Sequence, residues 1–101
     1  MILIERMIQE IHNGKSQELE DLDKRYQPVE KRLGFPPSKR FWTVSGVHTM
    51  ATIVIEREWE SMAAFEEAFN RAFADPEWQA LNEAGVEIVK SSRMEFYTPM
   101  T

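Results

Sequence analysis

The chain has 101 residues, 43% of them hydrophobic and 29% charged, and carries a formal net charge of −5. That length and apolar content describe one folded domain. The acidic balance excludes nucleic acid or an anionic membrane as the main partner, because both recruit clustered Lys and Arg, and the densest basic spots here are the pairs Lys31-Arg32 and Lys39-Arg40. Cysteine is absent, which excludes a disulfide framework, a thiolate metal site and a thiol nucleophile and suits a reducing compartment. The apolar run Met1 to Ile4 is broken at once by Glu5 and Arg6. Neither a signal peptide nor a membrane span is expected there, and the cytoplasm is the expected location.

Residues 2–12 (ILIERMIQEIH) are rich in isoleucine with period-two segments and predict a strand, ended by Asn13-Gly14. Ser16 then caps a helix in which Leu19, Leu22, Tyr26, Val29 and Leu33 recur at helical spacing, with Glu18, Glu20 and Asp21 placed to complement the dipole. Pro28 falls inside this pattern and predicts a kink or a split near Gln27. Gly34-Phe35-Pro36-Pro37 closes the segment as a loop. Residues 39–45 predict a second strand, Gly46 a turn or bulge, and residues 47–57 a third strand.

Between Trp59 and Trp78 lies an amphipathic helix, about 61–74, with Met62, Phe65, Phe69, Ala72 and Phe73 on one stripe and Ser61 at the N-cap. Asp75-Pro76-Glu77 restarts the helix as a short extra turn to Ala84, ended by Gly85. A last strand spans 86–97. The order is β-α-β-β-α-β: an α+β fold whose right-handed crossovers place two helices on one face of a four-stranded antiparallel sheet.

The other face then needs a cover. On the third strand Val47, Thr49, Ala51, Ile53 and Ile55 alternate with His48, Met50, Thr52, Val54 and Glu56, and the second set still holds apolar residues. On the first strand both Ile2-Ile4-Ile8 and Leu3-Met7-Ile11 are apolar. A monomer seldom exposes an apolar patch of more than about several hundred Å². A second copy packed sheet to sheet about a twofold axis covers it most simply, so a homodimer is expected.

The opening I-L-I-E-R-M-I with the glycine and acidic helix after it, the central R-F-W-T-V-S-G, the helix start W-E-S-M-A-A-F and the D-P-E-W at Asp75 to Trp78 together resemble the dimeric α/β-barrel superfamily of ferredoxin-like proteins. Within it the chain is most similar to the NIPSNAP-like family. The resemblance covers essentially the whole chain and implies a ferredoxin-like dimeric barrel. The superfamily includes cofactor-free monooxygenases, haem-degrading enzymes and small isomerases. NIPSNAP-like members share no agreed catalytic set, so the resemblance carries no active site onto these residues.

The residues themselves offer few candidates. His48, on the strand face assigned to the space between sheets, is the one catalytic candidate, as a base or as a haem-iron ligand; a hydrogen-bonded interface histidine is the plainer reading and the favoured one. His12, beside Asn13-Gly14, reads as solvated. Arg6 and Arg93 offer charge to a carboxylate or phenolate, or simply form cross-strand salt bridges. Trp42 lines a cavity or belongs to the core, and Thr52 neighbours His48 on the same face. Arg6, Trp42, His48, Thr52 and Arg93 are thus the predicted ligand-binding residues. No metal-ligand spacing, phosphate loop or serine-nucleophile signature occurs, so no metal and no cofactor are expected. Two functions remain: a homodimer that binds a small apolar or aromatic molecule between its sheets, or a cofactor-independent monooxygenase or isomerase acting on an enolisable substrate.

Overall fold

The computed structural model describes residues 1–100. Along them run β1 (Leu3–Ile11), α1 (Ser16–Arg32), β2 (Ser38–Trp42), β3 (Thr52–Trp59), α2 (Met62–Phe73), α3 (Pro76–Gly85) and β4 (Val89–Tyr97). The strands make one antiparallel sheet of order β2-β3-β1-β4. This is the predicted α+β, ferredoxin-like architecture with one correction: the turn expected after Asp75 is a ten-residue helix, so there are three helices among the described residues rather than two.

Local chemistry explains the helix boundaries. The Ser61 hydroxyl accepts from the Ala64 amide at 3.1 Å, and the Asp75 carboxylate accepts from the Trp78 amide at 3.0 Å with Pro76 at the first helical position. Each cap satisfies a backbone donor that has no carbonyl four residues earlier. Asp75 also receives both terminal nitrogens of Arg32, at 3.0 and 2.9 Å. These bonds, Arg32 first, hold its carboxyl below the usual range and tie the start of α3 to the end of α1. Pro28 does not split α1, which runs unbroken through it. Leu22 and Val29, both buried, hold the helix down on either side of the lost backbone bond.

Two further expectations change. The third strand starts at Thr52, not Val47, because Gly46 takes φ +128° and residues 43–51 form an irregular connection in which Val44 and Val47 find no neighbouring strand to bury them. His48 and Met50 therefore leave the sheet. On α2 the predicted stripe is narrower than expected. Phe69 and Ala72 are buried, Phe73 stays 61% exposed, and Ala68 is fully enclosed.

The core falls into two clusters. The larger gathers Leu22, Val29, Leu33, Phe35, Trp59, Phe69, Trp78 and Leu81 with the small residues Ala68 and Ala72; the smaller gathers Ile11, Leu19, Ile53 and Ile55. Adding atoms to a filled site forces neighbours off their rotamers. Ala68→Leu is therefore expected to lower stability by about 1–3 kcal/mol, read as a lower urea midpoint with an unchanged slope; an unaltered midpoint would mean α2 is not seated as described.

Candidate functional site

Strand register sorts the side chains. Glu5, Met7 and Gln9 of β1, Ile53, Ile55, Arg57 and Trp59 of β3, and Ser38, Arg40 and Trp42 of β2 face the helices. Residues of the opposite parity, among them Ile4, Arg6, Ile8, Val54, Glu56, Phe41, Arg93 and Tyr97, form the other face.

On the helix side five charged side chains lie among apolar residues. Glu5 is fully buried and Arg57 is 4% exposed. The Glu5 carboxylate accepts from the Trp59 indole at 2.8 Å and lies 3.5 Å from Arg57 Nη1. The other terminal nitrogen of Arg57 donates to Glu30 of α1, whose second oxygen accepts from Arg40 at 3.1 Å. Arg40 closes the chain on Asp23 at 2.6 Å, and the Arg57 guanidinium lies 5.3 Å from the centre of the Phe35 ring. Burial pushes the Glu5 carboxyl up, against the lowering pull of Arg57 and the Trp59 bond.

Beside this network a cavity of about 310 Å³ opens between α1, α3 and the sheet. Leu19, Leu22, Ile53, Ile55, Phe69 and Trp78 supply apolar wall, and Gln9, Asp23, Tyr26, Glu30, Arg57 and Asn82 supply polar points. Val86, 72% exposed, and the exposed Asn82 mark its mouth. There the Tyr26 hydroxyl donates to Asn82 Oδ1 at 2.5 Å, bridging α1 to α3. Burial first, then the nearby Glu30 charge, pushes the Tyr26 phenol up to about 12, so it stays a donor at neutral pH. Two buried donors of the lining residues, Arg57 Nε and Trp78 Nε1, have no partner among the described residues.

The residues expected to bind a ligand are not brought together. Trp42 faces the helices, packs on the smaller core cluster and donates to Glu20 at 3.2 Å. His48 lies in the 43–51 connection, off the strand assigned to it. Arg6, Thr52 and Arg93 do share the open face. Arg6 is 2.8 Å from Glu56 and lies over the Tyr97 ring at 5.1 Å; Thr52 is buried against Thr49 at 3.0 Å; Arg93, largely exposed, lies 3.8 Å from Glu95. Glu5, Glu30 and Arg57 belong to no sequence motif, although Arg57 continues the inward parity of Ile53 and Ile55. Among the described residues no group of three potential ligands could hold a metal, and no helix is long and apolar enough to cross a membrane.

The NIPSNAP family model matches residues 7–101. Among solved structures, a NIPSNAP family protein from Agrobacterium tumefaciens is 22% identical with a TM-score of 0.85, covering 99% of this chain and 94% of that one. A NIPSNAP-like domain protein from Burkholderia xenovorans is 16% identical with a TM-score of 0.83, covering 99% and 86%. SnoaB, a cofactor-independent oxygenase from Streptomyces nogalater, is 17% identical with a TM-score of 0.71, covering 99% and 94%. At these identities the structures speak to the fold alone. Among curated proteins none matches the chain.

The buried carboxyl has a pH signature. Its folded value lies above the ordinary 4.5, so from about there upward the native state holds more protons than the unfolded chain. The contribution of Glu5 is then full below that value and is lost as pH rises through the raised one. Glu5→Gln keeps an acceptor for Trp59 and cannot ionise. Its Tm relative to the parent is expected to improve as pH rises from about 4.5; a difference moving the other way would show that Arg57 outweighs burial.

Proposed function

The chain belongs to the NIPSNAP family, and on that footing we propose that it is a cytoplasmic homodimer that binds a small, largely apolar or aromatic molecule in each protomer. The observation that carries this reading is the cavity of about 310 Å³ between α1, α3 and the sheet, with apolar walls and a few fixed polar points. Those are the ordinary attributes of a small-molecule site. The ligand belongs there rather than between sheets, since Arg6 on the open face is already paired with Glu56 and Thr52 with Thr49.

The catalytic alternative, a cofactor-independent monooxygenase or isomerase, needs a free base against the ligand. Glu30 and Asp23 line the cavity, but Glu30 has one oxygen on Arg40 and the other on Arg57, and Asp23 is held by Arg40. With these groups committed, binding is the better reading. For dimerisation the support is the open face, where Ile2, Phe41 and Tyr97 are each more than two-fifths exposed beside Ile4 and Val54. A chain without cysteine asks nothing of an oxidising compartment.

Two measurements test the reading. Native mass spectrometry is expected to give twice the 11.9 kDa chain mass, and Phe41→Glu, which sets a charge on the open face, is expected to give the single chain with its circular dichroism unchanged. A monomeric parent would end the dimer proposal. Separately, the neutral dye N-phenyl-1-naphthylamine is expected to bind saturably, once per protomer. Gly85 lines the cavity with ordinary φ, and a Cβ there meets only Leu22, at 3.5 Å. Gly85→Leu is thus expected to abolish dye binding at an unchanged Tm; undiminished binding would place the dye elsewhere.

A further inference from the structure

The cavity has a direction. Leu22 Cδ2 lies 3.5 Å from where a Cβ on Gly85 would sit, the Tyr26 hydroxyl bonds to Asn82, and the Tyr26 ring meets Trp78 edge-on at 5.2 Å. α1 and α3 therefore run antiparallel along its length. In the sheet beneath, Gln9 lies opposite Ile53 at one end, Met7 opposite Ile55 in the middle, and Arg57 at the other end. Leu19 shares a core cluster with Ile53 and Glu30 bonds to Arg57, so α1 spans the same two ends. From the Ile53 row to the Arg57 row is about 13 Å at the usual strand rise, which makes the cavity a slot rather than a bowl. We propose that this slot takes a rod-shaped, uncharged amide, its carboxamide or lactam end paired with Gln9 and its aromatic or aliphatic body running toward Arg57. This rests on the reading of the cavity as a ligand site and adds what the site selects and how the ligand lies.

Gln9 singles out one end. Its register opposite Ile53 turns it toward the helices, where Leu19, Ile53, Val86 and Val89 make the rest of that end apolar. It is half-buried and makes no side-chain hydrogen bond among the described residues, and both polar atoms of its carboxamide keep accessible surface. The other polar side chains of the lining are engaged or enclosed. Asp23 and Glu30 are held by Arg40, Glu30 also by Arg57, and Tyr26 is bonded to Asn82. Arg57 Nε and Trp78 Nε1 lack partners but are sealed from any ligand. A reachable polar group in an apolar setting favours a ligand that brings the matching bond.

The matching group follows from the carboxamide itself, which holds an N–H donor and a carbonyl acceptor side by side. A second amide answers both at once, whereas a ketone answers only the donor. An ionic head fits poorly. The charged residues of the lining, Asp23, Glu30 and Arg57, are already paired, so a head of either sign would shed its water with no free counter-charge to meet it. Behind the head, Met7, Leu22 and Ile55 suit an aromatic or aliphatic body.

Four probes that share a ring system separate the possibilities: biphenyl-4-carboxamide, biphenyl-2-carboxamide, 4-acetylbiphenyl and biphenyl-4-carboxylate, each titrated into the ¹⁵N-labelled full chain and followed by NMR. The straight amide is expected to bind about fivefold tighter than the ketone, the worth of one further net hydrogen bond, and the carboxylate more weakly than either. The bent amide overfills the width of the slot and is expected to bind about tenfold more weakly than the straight one. Cross-relaxation is expected between the side-chain amide protons of Gln9 and those of the bound straight amide. Gln9→Met keeps the length of the side chain without its hydrogen bonds, and in it the amide is expected to lose its lead over the ketone. Equal affinities for amide and ketone in the parent, a lead that persists in Gln9→Met, a carboxylate that binds tightest, or a bent amide that binds as well as the straight one would overturn this assignment while leaving the cavity as a binding site. Unmoved resonances of the lining residues with all four probes would overturn the binding site itself.

Discussion

A buried ionic chain from Glu5 through Arg57 to Glu30 sets the conditions for everything on the helix side of this sheet. Removing ions from water costs several kcal/mol each, roughly, and is offset only when each ion is paired and hydrogen-bonded. Here the pairing is nearly complete. Glu5 has Arg57 and the Trp59 indole, and Arg57 has a carboxylate on each terminal nitrogen. Glu30 has a second guanidinium in Arg40, which in turn holds Asp23. Since Asp23 and Glu30 both come from α1, the network also fixes how that helix lies across β2 and β3. A buried pair of this kind specifies an arrangement more than it adds stability, because an apolar pair of the same volume would serve stability as well.

The network also accounts for the shape of the core. On β3 the inward residues run Ile53, Ile55, Arg57, Trp59, and on β1 they run Leu3, Glu5, Met7. In each strand the charge falls between a residue of the larger apolar cluster and one of the smaller. Apolar side chains alone would merge the two clusters into one close-packed layer. The ions, held to fixed partners by directional bonds, cannot give way to fill space, and α1 and α3 meet the sheet around them with a cavity left over. Tyr26 and Asn82 then join the two helices at its mouth. The same feature that divides the core thus lies along the wall of the cavity.

Sequence periodicity carries the architecture well and the site poorly. Strand alternation, the caps at Ser61 and Asp75, and the Phe65-Phe69 spacing each follow from local rules, and the structure obeys them. Val47 and His48 mislead because β-branched residues suit a strand, yet a strand needs a neighbour, and residues 43–51 have too few ladder bonds to supply one. Phe73 misleads because a helical stripe can extend past the end of the layer it packs on. The site is hidden for a different reason. A Glu or Arg inside an apolar strand ordinarily marks the solvent side, and whether Glu5 or Arg6 points inward depends on register that composition does not reveal. Arg57 does stand in phase with Ile53 and Ile55, so a sheet with those two inward has Arg57 inward as well.

The two faces of the sheet are joined at one dipeptide. Glu56 and Arg57 are consecutive on β3 and point to opposite sides. Glu56 meets Arg6 on the open face, and Arg57 meets Glu5 on the helix face. Their partners, Glu5 and Arg6, are consecutive on β1, directly across the ladder. Two oppositely directed ion pairs therefore lock the same register from both sides of one sheet. A slip of a single residue would bring glutamate against the apolar core on one strand and set an unpaired arginine on the open face of the other. The register that sets the open face is thereby also the register that seats Arg57 at the cavity wall, so the geometry of the interior cavity and of the outer surface are set by one alignment of β1 against β3.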